Sequence, residues 1–341
     1  MLKKIIKIYP EESFYSYIAR LYAHSGFLWN TGIAKEILSR PDEYVNHNFV
    51  NVLNNDFRKQ LETYISFEEI LMNHTLFKYY VRFLPRDKRI KAYEIAMRNE
   101  TNLSFKYLPI PVIRKDYYLR YCPRCVKEDR NKFGECYFHI EHQIPEIHCC
   151  SRHRIKLIDT QIRNSESYDS TFIPLELVVD RVEETLAADI EVKVAKYIKQ
   201  VQSEALDINN SCKIGQFLSR ELDDKYFSPR GQRKLLRPIL EDIREFFKDL
   251  PELYLSRQRV MTILNDAFIN AYDIHLLALF ENISPKELGR QLSHKEERWK
   301  EFDRKVKILR EKGLNNNEIS KIMKVNKEVI RQVLLGKYCE K

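Results

Sequence analysis

Apolar residues recur at helical spacing along most of this chain, and that rhythm predicts its elements. Between residues 10 and 110, Tyr17, Ile18, Leu21 and Tyr22 follow the i, i+3, i+4 rule of one buried face, with Ser13 placed to cap the helix. The stretches 67–72 and 89–96 repeat the rule. Tyr107-Leu108-Pro109-Ile110-Pro111 breaks helix twice, because proline has no backbone N–H to give, and so predicts a domain boundary. The helical period lapses over 112–165, where aromatic, β-branched, Cys and His residues crowd between turn residues. Gly134 predicts a hairpin turn there, and Cys136 to Ile140 a strand or first helical turn. After a polar stretch from Thr160 to Thr171, helical stripes resume to about residue 280. Those at 241–247 and 260–264 read as plain core-facing helix.

The last residues carry a three-part pattern. Val306, Ile308 and Leu309 stripe a first helix that ends at Gly313. Ile319, Ile322 and Met323 stripe a second, capped by Asn316 or Asn317. Val329, Ile330, Val333 and Leu334 stripe a third, capped by Asn326 and stopped at Gly336. This is helix-turn-helix spacing, in which the last helix enters the major groove. Lys327, Glu328, Arg331 and Gln332 then face outward, and Lys327, Arg331 and Gln332 are the candidate DNA contacts. Lys324 stands in the inter-helix turn, where glycine is frequent. The plainer alternative is a trihelical unit that touches protein.

Charge sharpens this picture. The net charge is +9, and residues 286–341 hold 16 Lys/Arg against 9 Asp/Glu, so most of the excess lies at one end, as a phosphate-contacting module requires. A solvated helical face would also account for it. With 341 residues, several small domains are expected, and 8 Gly with 12 Pro speak against a repetitive β or disordered chain. The start is too short and too interrupted by lysine for a signal sequence, and the apolar run at 274–280 cannot span a bilayer. A cytoplasmic protein with reduced thiols is the expectation.

The seven cysteines carry the strongest chemical signal. Cys122-Pro123-Arg124-Cys125 is followed, 24 residues later, by Cys150-Ser151-Arg152-His153. Two residues between ligands let a tight turn aim both side chains at one ion, and two such corners complete a tetrahedron. Soft thiolates with a borderline imidazole suit Zn²⁺. Four protein ligands leave no position for water, so one structural zinc is expected, supplying most of the folding free energy of a module with little core. Cys149, His148, His142, His139 and Cys136 all lie close by. Cys150 is preferred to Cys149 because only it leaves the two-residue gap to His153. Cys136, Cys212 and Cys339 read as apolar or surface residues. Neither a P-loop nor a Ser/Cys–His nucleophile motif is present, and no enzyme is expected.

The expected fold is therefore mainly α and multi-domain. A helical domain (1–110) precedes a zinc-finger module with short β-strands (111–165), a helical middle domain (166–280) and a C-terminal helix-turn-helix (281–341).

Together these residues resemble the TniQ/TnsD family of target-site selectors of heteromeric transposons. The N-terminal Tyr9-Pro10-Glu11-Glu12-Ser13 through Ser16 to Arg20-Leu21 is similar to the family's opening pattern. His74 to Tyr80 with Phe83-Leu84-Pro85 looks like a segment of the TnsD branch. Arg120-Tyr121-Cys122, Glu128-Asp129, Phe133-Gly134-Glu135, His142-Gln143-Ile144-Pro145 and Cys150 to His153 match the zinc region, with Phe138 near the usual Trp and Ser151 replacing a usual Pro. The resemblance implies an N-terminal domain of helix-turn-helix character, a zinc finger and further DNA-reading helices. It also implies double-stranded DNA and an AAA+ ATPase regulator as partners, and in some members a CRISPR effector complex. A zinc-containing helix-turn-helix transcriptional regulator is the alternative reading.

Overall fold

Side-chain oxygens at helix starts set the N-terminal architecture. A computed structural model of the chain describes residues 5–41, 45–100, 118–163, 171–210, 213–228, 234–251, 253, 255–267, 270–290 and 295–335, with side chains from 302 onward in the last range. The boundary expected at Tyr107–Pro111, the helix stop at Gly336, and Cys212 and Cys339 lie outside the described residues.

Helix α1 (Phe14–Ser25) starts where Ser13 Oγ accepts the Ser16 N–H, and it ends at left-handed Gly26. It buries Phe14, Tyr15, Tyr17, Ile18 and Leu21, a wider face than the predicted stripe. Five more helices follow: α2 (Asn30–Ile37), α3 (Asn55–Glu62), α4 (Phe67–Asn73), α5 (Phe77–Val81) and α6 (Arg86–Arg98). Ser66 Oγ caps α4 by accepting the Glu69 N–H, which satisfies one of the free donors of its first turn.

The middle of the chain holds the sheet seen among the described residues, two antiparallel strands, β1 (Tyr118–Tyr121) and β2 (Ile158–Arg163), with Tyr121 opposite Ile158. Between them runs α7 (Pro123–Phe133). The hairpin turn expected at Gly134 is instead the C-cap of this helix: Gly134 has φ +84° and its N–H returns to the Arg130 carbonyl. Cys136 to His139 is extended, without strand partners of its own beyond a single bridge from His139 to Glu12.

Six helices follow: α8 (Asp189–Ser203), α9 (Ile214–Glu221), α10 (Leu236–Phe246), α11 (Arg257–Leu264), α12 (Ala271–Phe280) and α13 (Pro285–Arg290). The predicted stripes are buried at Ile243 and Phe247 of one segment and at Val260, Ile263 and Leu264 of the next. The protein is mainly α, as expected, and no helix among the described residues is long and apolar enough to cross a membrane.

The terminal unit consists of α14 (Lys295–Glu311), α15 (Asn316–Met323) and α16 (Lys327–Leu334) around Val306, Ile319, Ile330 and Val333. Asn326 caps α16 as predicted. The cap of α15 falls one residue earlier than expected, at Asn315, which forms a reciprocal capping box with Glu318. Ile308 and Ile322, expected inside, are 42% and 53% exposed. The third helix packs over Ile319 and leaves that flank of α15 bare. Lys324 closes α15 in the left-handed region, at φ +50°, the conformation for which glycine is favoured.

The cores do not follow chain order. Leu119, Tyr121, Val126 and Phe138 from the sheet segment pack into one core with α1 to α4. Ile144, Ile147 and Cys149 from the same segment pack into a second core with Leu71 of α4, with α5 and α6, and with α8 to α13. The 118–163 segment is thus a wedge that contributes to both cores, as does α4 through Ile70 and Leu71.

Candidate metal centre

The wedge has almost no core of its own: Cys122, Cys125, Cys150 and Ile155, with Leu157 at its edge. Something other than apolar burial must hold it together. The geometry of the sulfurs says what.

Strand β1 delivers Cys122 to the N-cap of α7, Pro123 occupies the first helical position, where its missing N–H costs nothing, and Cys125 falls in the first turn. This corner is a helix start and not the symmetrical turn that the spacing predicts. The other corner is a true turn. Cys150 N–H donates to the Ile155 carbonyl and Arg154 N–H to the Cys150 carbonyl, with Arg154 at φ +60°. Backbone N–H of His153 points at Cys150 Sγ, 3.5 Å away.

The two corners bring four donors together. Cys125 Sγ lies 3.7 Å from Cys150 Sγ. His153 Nδ1 lies 3.5 Å from Cys122 Sγ, 3.4 Å from Cys125 Sγ and 3.6 Å from Cys150 Sγ. A tetrahedron with Zn–S of about 2.3 Å and Zn–N of about 2.0–2.1 Å has S···S edges of about 3.8 Å and S···N edges of about 3.6 Å. The observed edges match those to within a few tenths of an ångström. The cluster can hold a metal ion and is compatible with zinc. Three sulfurs this close cannot all ionise unless a cation joins them. The Cys122 and Cys150 sulfurs, and then burial, push the Cys125 thiol far up, while Cys122 and Cys125 pull Cys150 down.

The surroundings complete the cage. His153 Nε2 meets Glu128 Oε1 at 2.9 Å, which fixes the ring and leaves Nδ1 for the ion. Arg152 donates to Cys125 Sγ at 3.3 Å and pairs with Glu128 at 3.1 Å. A closed ring of charge therefore runs Cys125, Arg152, Glu128, His153. Sequence reasoning placed Glu128 and Arg152 in the zinc region by resemblance but gave them no role in the cage. The available signals were the position of Glu128 one helical turn after Cys125 and that of Arg152 inside the second gap. Arg120, likewise given no role, is fully buried and donates to the carbonyls of Ile144 and Ile147 at 2.6 Å, riveting the loop that leads to Cys150.

Cys149 and Cys150 were separated in sequence only by the gap rule. Here they lie on an extended segment, where consecutive side chains point to opposite faces. Cys150 enters the cage, and Cys149 enters the second helical core. Cys136, expected to be inert, is buried and donates its S–H to Glu176 at 2.8 Å.

The terminal residues stand apart from this centre. Lys327 and Arg331 are exposed and Gln332 is half-buried. Glu328 binds Arg331 through both carboxylate oxygens, at 2.8–3.1 Å, and accepts from Gln332 at 2.7 Å.

A small helical wedge with a Cys₃His cage inside a mainly α chain is the class that this geometry defines. Residues 5–157 match the family model for TniQ, a span that holds the first helices, the wedge up to the start of β2 and all four cage residues. The Transposon Tn7 transposition protein TnsD of Escherichia coli is 23% identical over 148 residues, which is 42% of this chain and 29% of that protein. The chain therefore matches less than a third of the length of that curated relative. Over the matched span it is similar to the TniQ family and to TnsD.

Proposed function

We propose that this chain is a DNA-binding target-site selector of a heteromeric transposon, held in shape by one structural zinc ion and recruiting an AAA+ ATPase regulator to the insertion site. The observation that carries the reading is the match of residues 5–157 to the TniQ model, ending just beyond His153, the last of four converging donors. In this reading Cys122, Cys125, Cys150 and His153 bind Zn²⁺ and do no chemistry, since a fully protein-ligated ion has no position for substrate. The terminal unit acts as a helix-turn-helix, with Lys327 and Arg331 of α16 on phosphates and base edges and Gln332 beside them. The chain is then an adaptor and not an enzyme.

Support comes from the basic excess over 286–341 and from the name of the relative, a transposition protein. A zinc-containing transcriptional regulator shares the terminal unit, so the test must reach past DNA binding. Duplex affinity should fall steeply with salt, as counterion release requires. The full chain, mixed with an AAA+ ATPase regulator of a heteromeric transposon, should co-elute with it and load it onto a duplex carrying the site. Salt-dependent duplex binding without capture of the ATPase would favour the regulator. Capture of a guide-RNA effector complex in place of direct duplex binding would instead make the protein a bridge to that complex.

A further inference from the structure

His142 is 1% exposed, and neither ring nitrogen has a hydrogen-bond partner among the described residues. A buried imidazole left that way is expensive, because its N–H and its lone pair have both lost water. Yet the ring is not in an apolar hole. A ring nitrogen of His142, the sulfur of Cys150 and a carboxylate oxygen of Glu141 all lie within 4.8 Å of one another. His142 Nε2 is 3.6 Å from Glu141 Oε1, just beyond bonding distance.

Glu141 is itself pinned. Lys199 of α8 pairs with it at 2.8 Å, and Ser151, the residue after Cys150, donates to both its oxygens at 3.2–3.3 Å. Lys199 also pairs with Glu11 at 2.9 Å. His139, whose ring centroid is 5.1 Å away, packs beside the His142 ring and is bonded to buried Asp129 at 2.8 Å.

We propose that in the metal-bound protein His142 is a positioning residue of the metal centre: one ring N–H is directed to the Cys150 sulfur or the Glu141 carboxylate beside it, and so links the cage to α8 through Glu141 and Lys199. This rests on the reading of the four donors as a zinc site. The argument is one of charge. Three thiolates and one imidazole around a divalent ion carry a net charge of −1. Arg152 relieves it at Cys125, and the backbone N–H of His153 touches Cys150. In this proposal an N–H of His142 turned toward Cys150 is a second donor to that sulfur, from the buried side. Sulfur-directed donors lower the charge on the thiolate and hold it in one rotamer, so their loss weakens retention of the metal without removing a ligand. His142 thus differs in kind from the four ligands, whose loss abolishes binding.

The test uses the full chain, loaded with zinc, in wild-type, His142→Leu, His142→Gln and Glu141→Gln forms. Zinc per chain is measured first, then the rate of zinc transfer to a colorimetric chelator at fixed pH. The Co²⁺-substituted proteins report the sulfur-to-metal charge-transfer band. His142→Leu should still bind one ion but release it about 10- to 100-fold faster, with a shifted Co²⁺ band. His142→Gln, which keeps an N–H donor, should fall between the two, and Glu141→Gln should accelerate release more weakly. His275→Leu, a buried histidine stacked on Tyr79 in the other helical core, serves as the control for general loosening and should leave release unchanged. Wild-type release rates in both His142→Gln and Glu141→Gln overturn the proposal even if His142→Leu fails to fold. Wild-type protein without zinc would overturn the zinc site itself, which is a separate result.

Discussion

Arg20 and Glu135 are 115 positions apart, and Arg20 NH2 lies 2.7 Å from Glu135 Oε1. The same guanidinium reaches Glu12 at 2.9 Å and lies over the Tyr9 ring at 3.6 Å from its centroid. Glu12 is fully buried, and burial pushes its carboxyl up to about 7 against the pull of Arg20. The opening pattern of the sequence is therefore an interlock: it fastens α1 to the loop that follows α7 in the wedge. The backbone reinforces this, with Ser13 N–H donating to Phe138 and Ile140 N–H to Glu11. Truncation of Arg20 leaves Glu12 in the interior without its cation and Glu135 with only His24 beside it. The Arg20→Ala variant should lose about 3–5 kcal/mol of stability by urea denaturation at neutral pH. A loss below about 1 kcal/mol would mean that the network contributes little.

Metal removal separates adjacent cysteines. Cys122→Ser should lose the ion, and the segment 118–163 should become protease-sensitive, because its own core is only the cage sulfurs and two aliphatic residues. Cys149→Ser should keep about one zinc per chain, since that side chain faces the second helical core. The readout is elemental analysis alongside limited proteolysis. Equal loss in both variants would show that Cys149 competes for the ion.

A pH dependence follows from Asp273. Burial pushes its carboxyl up from 3.8 to about 6, against Arg259 at 3.2 Å. A raised carboxyl means that the folded state holds its proton more tightly. Its contribution is therefore fully present below about pH 4 and is lost as pH rises through about 6. Relative to Asp273→Asn, wild-type stability should fall over that window by an amount approaching about 3 kcal/mol. The comparison between two proteins cancels any metal lost at low pH, because both lose it alike. A constant difference from pH 4 to 7 would show that Asp273 is solvated.

The helical class and the four donors were legible because both are local signals: an apolar stripe needs only the residues of one helix, and a two-residue gap needs only one corner. The cap at Ser13, the stop at Gly313 and the choice of Cys150 over Cys149 belong here. What was not legible was set by packing at long range. Gly134 suits a hairpin and a helix end equally, and only the fact that Val126 of α7 enters the first core decides between them. Ile308 and Ile322 obey helical spacing yet face solvent, because a three-helix unit this small cannot cover both flanks. Glu128, Arg152 and Arg120 stand in segments that resemble the family pattern, but their roles arise only when the two corners meet.

Glu328 provides the sharpest test of the terminal unit. Its carboxylate holds both Arg331 and Gln332, two of the three expected DNA contacts, while Lys327 is exposed beside it. If α16 lies in a groove, a phosphate must compete with Glu328 for Arg331, so the acidic residue restrains binding. Glu328→Ala should then raise duplex affinity about two- to fivefold at low salt, with a steeper salt dependence as Arg331 becomes available to phosphate. Lys327→Ala should weaken binding across all sequences and reduce the salt slope by about one. Arg331→Ala should do the same in the wild-type background and abolish the gain in the Glu328→Ala background. The measurement is a titration of fluorescent duplex at several salt concentrations. Wild type and all four variants binding alike would mean that α16 packs against protein, and that whatever DNA contact exists lies elsewhere in the chain.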